Sequence, residues 1–203
     1  MSFPMMLDSL LLSLGVWTRC AIIALAIALM AAIALWRRFL DIPGTAAAAA
    51  LGFIVFYIGG VSGFVLLLYF FLSSSVITKL CRKGEGSRGR GYSSVVANGF
   101  PSSLALILYA VLKDPVFLVA FAASIAEAAS DTWAGEIGQL SSKDPLSIAT
   151  FTKVPKGISG GVTVLGLLAS LAASLSVALL FWGTFGTDLW GLLLIAASGF
   201  LGA

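Results

Sequence analysis

Apolar runs long enough to cross a lipid bilayer dominate this chain. They fall at about 20–36, 45–59, 62–78, 95–112, 115–130, 161–182 and 189–203, each near the length at which a helix spans the hydrocarbon core. Backbone groups in lipid have to be satisfied within the segment, so each run is predicted as a helix. The fold is then an all-α, polytopic transmembrane helix bundle of six or seven spans. Composition closes the alternative of a water-soluble domain. Charged residues make up 10% of the 203, hydrophobic residues 60%, and mean hydropathy is +1.06, whereas soluble domains carry about 25% charged residues.

Residues 1–203 read as a single integral membrane domain. The Gly59-Gly60-Val61-Ser62-Gly63 stretch suits a tight turn, which makes the second and third runs a hairpin. Within 1–19, the apolar stretch from Leu7 to Trp17 is interrupted by Asp8 and closed by Arg19. It is expected to be an interfacial helix, a partial span, or the first half of a tilted helix running through to Trp36. No basic residue precedes it and no small-residue cleavage site follows, so it does not read as a signal peptide; nor is it an Arg/Ser-rich transit peptide. The expected location is a bacterial or archaeal cell membrane. The last residues, Gly199 to Ala203, end inside an apolar run, which reads as truncation of a longer natural protein.

Charge placement orients the bundle. Counting crossings from Cys20, the loops at 37–44, 79–94 and 136–160 share one side, and those at 59–63, 113–114 and 183–188 share the other. Ten of the twelve basic residues then lie on the first side; Arg19 and Lys113 lie opposite. The positive-inside rule makes the first side cytoplasmic and places the N-terminus outside. Cys20 and Cys81 fall at opposite faces, which argues against a disulfide.

The chain has no histidine, which removes His-based acid-base catalysis, His metal ligands and Ser-His-Asp triads. Chemistry is left to carboxylates, cations, hydroxyls and backbone. Acids inside a membrane helix are costly and mark function by default. Glu127 and Asp131 stand at i and i+4, share one helix face, and suit a hard cation such as Mg²⁺. Glu136 is off that face on an unbroken helix, and Gly135 is a position at which the helix could end and swing it back. The bland alternative is that these acids pair with loop lysines for structural reasons.

A second element runs from Thr150 to Thr163. Thr152, Lys153 and Lys156 precede a turn containing Gly157, Ser159, Gly160 and Gly161, a combination suited to holding phosphate at the start of the next helix. It is not a Walker A motif, and an ordinary positive-inside loop is its alternative. A third element is the basic loop after Lys79. Arg88 and Arg90 are candidate phosphate ligands there, and Asn98 opens an otherwise apolar helix and needs a partner. The loop's alternative role is contact with anionic headgroups. The loop is short and lacks an aromatic platform, so no nucleic acid is expected as a partner. Carboxylates, lysines and arginines gathered at one interface are the inventory for a metal-bound phosphate or nucleotide. Lipid-facing helices add a place for a long apolar chain.

Four blocks carry a resemblance. They are Ser73 to Lys79; Arg88 to Gly99, ending Val96-Ala97-Asn98-Gly99; Ser130-Asp131-Thr132-Trp133-Ala134-Gly135-Glu136-Ile137-Gly138; and Val154 to Thr163. Over most of 40–203 the chain resembles the integral membrane family that includes the phytyl-phosphate kinases, itself distantly similar to CTP-using phytol and dolichol kinases and CDP-diacylglycerol synthases. The resemblance implies phosphoryl transfer from CTP or another nucleoside triphosphate, with Mg²⁺, to an isoprenoid monophosphate such as phytyl phosphate. It places Asp131 and Glu136 in the family's acidic block, Lys156, Ser159, Gly160 and Gly161 in its glycine turn, and Asn98 at its helix start. The chain departs from the pattern at its end, where relatives continue with a further acidic helix.

The expected roles are therefore Asp131, Glu136 and Lys156 as catalytic, and Glu127 with Asp131 as metal ligands. Arg88, Arg90, Asn98, Thr152, Lys153, Gly157, Ser159, Gly160 and Gly161 are expected to bind nucleotide or phosphate. Expected partners are the isoprenoid phosphate, the nucleoside triphosphate and membrane lipids, with homo-oligomerisation left open. The rival reading is a multi-pass transporter binding an ion or small substrate at its intramembrane carboxylates. Depth separates the two: transport expects acids near the bilayer centre, a kinase near the cytoplasmic surface. A third reading, a non-catalytic lipid-binding scaffold, would leave the acids idle.

Overall fold

The computed structural model describes residues 3–81 and 91–203. Those residues form α1 (Phe3–Ser13), α2 (Val16–Trp36), α3 (Ile42–Cys81), α4 (Tyr92–Leu112), α5 (Val116–Gly138), β1 (Leu146–Ser147), β2 (Gly161–Val162), α6 (Val164–Phe185) and α7 (Leu189–Gly202). The helices α2 to α6 are long and apolar enough to cross a membrane, and α1 and α7 are shorter apolar helices. The protein is a helical membrane bundle.

The α3 segment is a hairpin rather than one rod. Gly60 adopts φ 66° and ψ −161°, a conformation that a residue without Cβ takes at little cost. The Phe56 and Phe64 rings stack with centroids 4.5 Å apart, whereas eight residues of straight helix span about 12 Å. The second arm therefore folds back along the first. Amides at its start lose helical acceptors at the break, and Asp8 of α1 replaces them. One carboxylate oxygen accepts from the Val61 N–H at 2.5 Å, and the other accepts from the Ser62 hydroxyl at 2.7 Å and the Ser62 N–H at 3.4 Å.

The N-terminal stretch is resolved by the same contacts. Helix α1 stops at Ser13 and α2 starts at Val16, so a single tilted helix from the N-terminus to Trp36 is not what forms. A short separate helix instead lies against the hairpin turn. Arg19, in the first turn of α2, stacks over the Tyr57 ring at 4.4 Å and donates to the Tyr57 carbonyl.

At the opposite end of the bundle, Lys79 donates to the Arg37 carbonyl at 3.3 Å, and the Phe39 ring meets Phe71 edge to face. Helix α5 lies among α3, α4, α6 and α7. Its buried face carries Phe121, Ala122, Ile125, Ala126, Ala128 and Ala129. Small residues let neighbours approach closely: a Cβ added at Gly199 of α7 would lie 2.6 Å from Ala126 Cβ and 3.0 Å from Ser174 Cβ. The Ser130 hydroxyl, fully buried, donates to the Ser170 carbonyl of α6 at 3.0 Å.

Several boundaries differ from the sequence reading: α4 starts at Tyr92, so Asn98 is its seventh residue and does not open the helix, and two further differences shape the loop end of α5. Helix α5 continues through Gly135 to Gly138, so the loop expected from 136 begins at 139. Helix α6 starts at Val164, after β2, rather than at the glycine turn.

Candidate functional site

The acidic side chains climb α5 toward the end that bears the long loop. Glu127 stands halfway along the 23-residue helix, Asp131 one turn further, and Glu136 in the final turn. Because the helix is unbroken at Gly135, Glu136 is not swung onto the face of the other two. It is buried at 7% exposure and lies within electrostatic range of Cys81 at the end of α3. Asp131 is exposed and Glu127 half-buried. The two form a pair on one helix face, and their charges interact. Gly202 of α7 packs so close that an added Cβ would lie 2.8 Å from Glu127 Cγ. Among the described residues no cluster of three or more His, Cys, Asp or Glu assembles. The acidic site is thus a pair, with Glu136 separate.

The loop from 139 to 163 is a built element. Strands β1 and β2 pair antiparallel, Leu146 opposite Val162 and Ser147 opposite Gly161, and Leu146 also bridges to Lys153. The Ile148 N–H donates to the Gly160 carbonyl at 2.9 Å, and the Ser147 N–H to the Thr152 carbonyl at 2.9 Å. Thr150 and Thr152 share a hydroxyl hydrogen bond of 2.7 Å. Gly157 and Gly160 have φ of 87° and 78°, and Gly161 donates its N–H back to the Ile158 carbonyl. The exposed Lys156 donates its ammonium to the Gln139 and Ser141 carbonyls, at 3.2 and 2.5 Å. That spot is the C-terminal end of α5, where partial negative charge favours a cation. Lys153 and Ser159 are exposed.

The glycine turn does not form the N-terminus of the following helix, contrary to expectation. Thr163 stands there. Its hydroxyl accepts from the Gly166 N–H at 3.0 Å and donates to the Gly138 carbonyl at 3.3 Å, so one side chain caps α6 and ties it to the end of α5. The turn instead hangs beside α5 through Lys156. Neither Lys153 nor Lys156 pairs with Glu127 or Asp131 among the described residues. Arg88 and Arg90 lie outside the described residues.

Asn98 faces elsewhere. It lines a cleft of about 110 Å³ bounded by α2, both arms of α3 and α4, together with Thr45, Ser94 and mostly apolar side chains. The sequence reading missed this cleft. Its polar members, Thr45 and Ser94, had no signal beyond lying near helix starts. Trp133, inside the acidic block, was likewise not singled out, yet its buried indole N–H has no acceptor among the described residues.

A family model described as integral membrane protein DUF92 matches residues 25–203. A membrane protein of Methanocaldococcus jannaschii, described as uncharacterized, is 33% identical over 173 residues, 81% of this chain and 69% of that protein. Protein PGR of Arabidopsis thaliana is 35% identical, over 71% of this chain and 58% of its own length. The Arabidopsis protein VTE6, chloroplastic, is 30% identical over 68% of this chain and 46% of its own. The chain thus spans about half the length of these plant relatives. No solved structure matches it.

Proposed function

The chain belongs to the DUF92 family of integral membrane proteins, and from that premise we propose that it is a membrane-embedded kinase. It transfers a phosphoryl group from a nucleoside triphosphate, CTP foremost, to an isoprenoid monophosphate such as phytyl phosphate, giving the diphosphate. The observation that carries the reading is the Glu127–Asp131 pair on one face of α5, about three and two turns respectively below the end where Lys156 anchors a structured glycine loop.

The donor set fits Mg²⁺, which is usually held by one or two carboxylates and completed by substrate phosphates and water. Glu127 and Asp131 would hold it. Bound there, the ion would supply positive charge to neutralise the phosphates. The chain's own residues supply the rest. Lys153 and Lys156 bring cations to the loop end. Lys156 is free to exchange two backbone carbonyls for a phosphate, since its present bonds are to exposed neutral acceptors. The acceptor is already an oxyanion and needs no strong base, which accords with the lack of histidine.

Purified protein given labelled CTP or ATP, Mg²⁺ and geranylgeranyl or phytyl phosphate is expected to yield the diphosphate, and Asp131→Asn to lose it. An unimpaired variant, or no product with any pair, would sink the proposal.

One observation favours the rival transporter: Glu127 sits at the midpoint of α5. Against it, midplane transport sites are formed by discontinuous helices, and α4, α5 and α6 run unbroken. Cation uptake into protein-containing vesicles, abolished by Glu127→Gln in the absence of any nucleotide, would reverse the preference.

A further inference from the structure

The cleft that receives Asn98 has no part in the acidic site, yet it is shaped for a ligand. Its walls are almost wholly apolar, with Ile27, Met30, Leu51, Phe64 and Phe71 among them. The space exists because facing positions are small: Ala31 and Ala34 on α2 look across at Ala48 and Ala49 on α3, while at Gly52 the Ile27 side chain closes on the backbone. Small facing residues ordinarily let helices close on one another; here they leave a gap. Apolar cavities of this order stay dry and take up apolar guests. From Thr45 to Gly52 the cleft runs about 10 Å along the bundle axis, at 1.5 Å per residue. That length suits a hydrocarbon chain laid along the bundle axis in a cleft of about 110 Å³.

The end toward the loops is cationic, and Asn98 stands about 9 Å inside it, six residues from the start of α4. Asn98 is partly exposed and has no hydrogen-bond partner among the described residues, which leaves its amide available to a guest. At the rim, the Lys79 ammonium sits 5.6 Å above the Phe39 ring, and Phe39 meets Phe71 of the cleft wall. The exposed Arg37 and Arg38 adjoin it. Among the described residues the acid at this rim is Asp41, which accepts from the Gly44 N–H at 2.7 Å. The rim therefore complements an anionic head.

We propose that the cleft between α2, α3 and α4 binds the single hydrocarbon chain of an isoprenoid phosphate, with Asn98 on its wall and the phosphate toward the Arg37, Arg38 and Lys79 rim. The assignment of the guest as isoprenoid rests on the kinase reading; the cleft's preference for a single-chain anionic amphiphile does not. Asn98 and Asp131 each lie six or seven residues from the loop end of their helices, so the cleft wall at Asn98 and the Asp131 carboxylate stand at similar depth.

The test uses geranylgeranyl phosphate carrying a diazirine on its chain, added to the intact protein in detergent without nucleotide. After irradiation, mass spectrometry is expected to map adducts to 27–34, 45–52 and 64–71. Geranylgeranyl phosphate should compete, while geranylgeraniol and phosphatidylglycerol should compete at least about tenfold less well. Ala48→Phe and, from the opposite wall, Ala31→Phe, both half-buried on the cleft lining, should each cut labelling about tenfold, the loss expected when about two CH₂ groups are displaced. Adducts confined to α5–α7, or equal competition by phosphatidylglycerol, would overturn the proposal. Cleft labelling without diphosphate formation in the kinase assay would leave this site standing and remove the kinase.

Discussion

Asp131 and Glu127 share a helix face but not an environment, and the two should respond differently to neutralisation. Asp131 is exposed and touches no neighbour that depends on it, whereas Glu127 is half-buried against Gly202. Asp131→Asn is expected to abolish diphosphate formation by at least about 100-fold while leaving the thermal unfolding midpoint in detergent near that of the parent, since exposed substitutions usually stay within about 0.5 kcal/mol. A large fall in the midpoint would mean that the residue is structural. Asp8 makes the contrasting case. It takes no part in the proposed chemistry but accepts three hydrogen bonds at the hairpin break. Asp8→Ala should destabilise the protein by about 1–2 kcal/mol, the range for a lost helix cap, read as a lower midpoint with kinase turnover per folded molecule preserved. Nothing in the sequence pairs Asp8 with Gly60, because the pairing spans more than fifty residues and depends on α1 lying across the turn. Only its cost as an acid in an apolar run was visible.

Helices were legible because hydropathy alone fixes them: each apolar run became a helix or a hairpin arm, and Gly60 broke α3 where the glycine cluster stood. Helix ends were less legible. Gly135 looked like a stop, yet α5 runs on for three residues, because Thr163 and Lys156 bind the carbonyls of Gly138, Gln139 and Ser141 from outside. These are tertiary partners that no local pattern encodes. The glycine turn was misplaced for the same reason, since its register is set by β1 pairing with β2. Close helix packing offers a direct check. Gly199→Val places branched carbons where even a Cβ would lie 2.6 Å from Ala126, and overpacking of this kind costs about 1–3 kcal/mol. The midpoint should fall, and with it activity, because α7 carries Gly202 against Glu127. Gly183→Ala on α6, where an added Cβ meets nothing within 4 Å, should be neutral or slightly stabilising by up to about 1 kcal/mol. Equal effects from the two would mean that α7 is not packed on α5 as described.

The bundle sorts its polar features by end. Asp8, Gly60 and the Gly186 turn reached by Met5 lie together, while Arg37, Lys79 and the loop carrying Lys143, Lys153 and Lys156 belong to the ends of helices running the other way. The acidic pair was readable from spacing, since i and i+4 define one face in any helix. The cleft was not, because it is a gap between three elements and no single segment encodes it. Membrane orientation is the remaining step, and the charge bias predicts that the end bearing most of the lysines and arginines faces the cytoplasm. Both cysteines are free and can be replaced, so reporters are easily placed. In a Cys20→Ser, Cys81→Ser background, Lys113→Cys sits in the exposed turn between α4 and α5, and Lys143→Cys in the exposed loop after α5. A membrane-impermeant maleimide applied to intact cells should label Lys113→Cys and spare Lys143→Cys until the membrane is opened. The reverse pattern would put the acidic pair, the glycine loop and the cleft rim on the side without nucleoside triphosphates. That result would defeat a CTP-dependent kinase on topology alone, whatever the chemistry of α5.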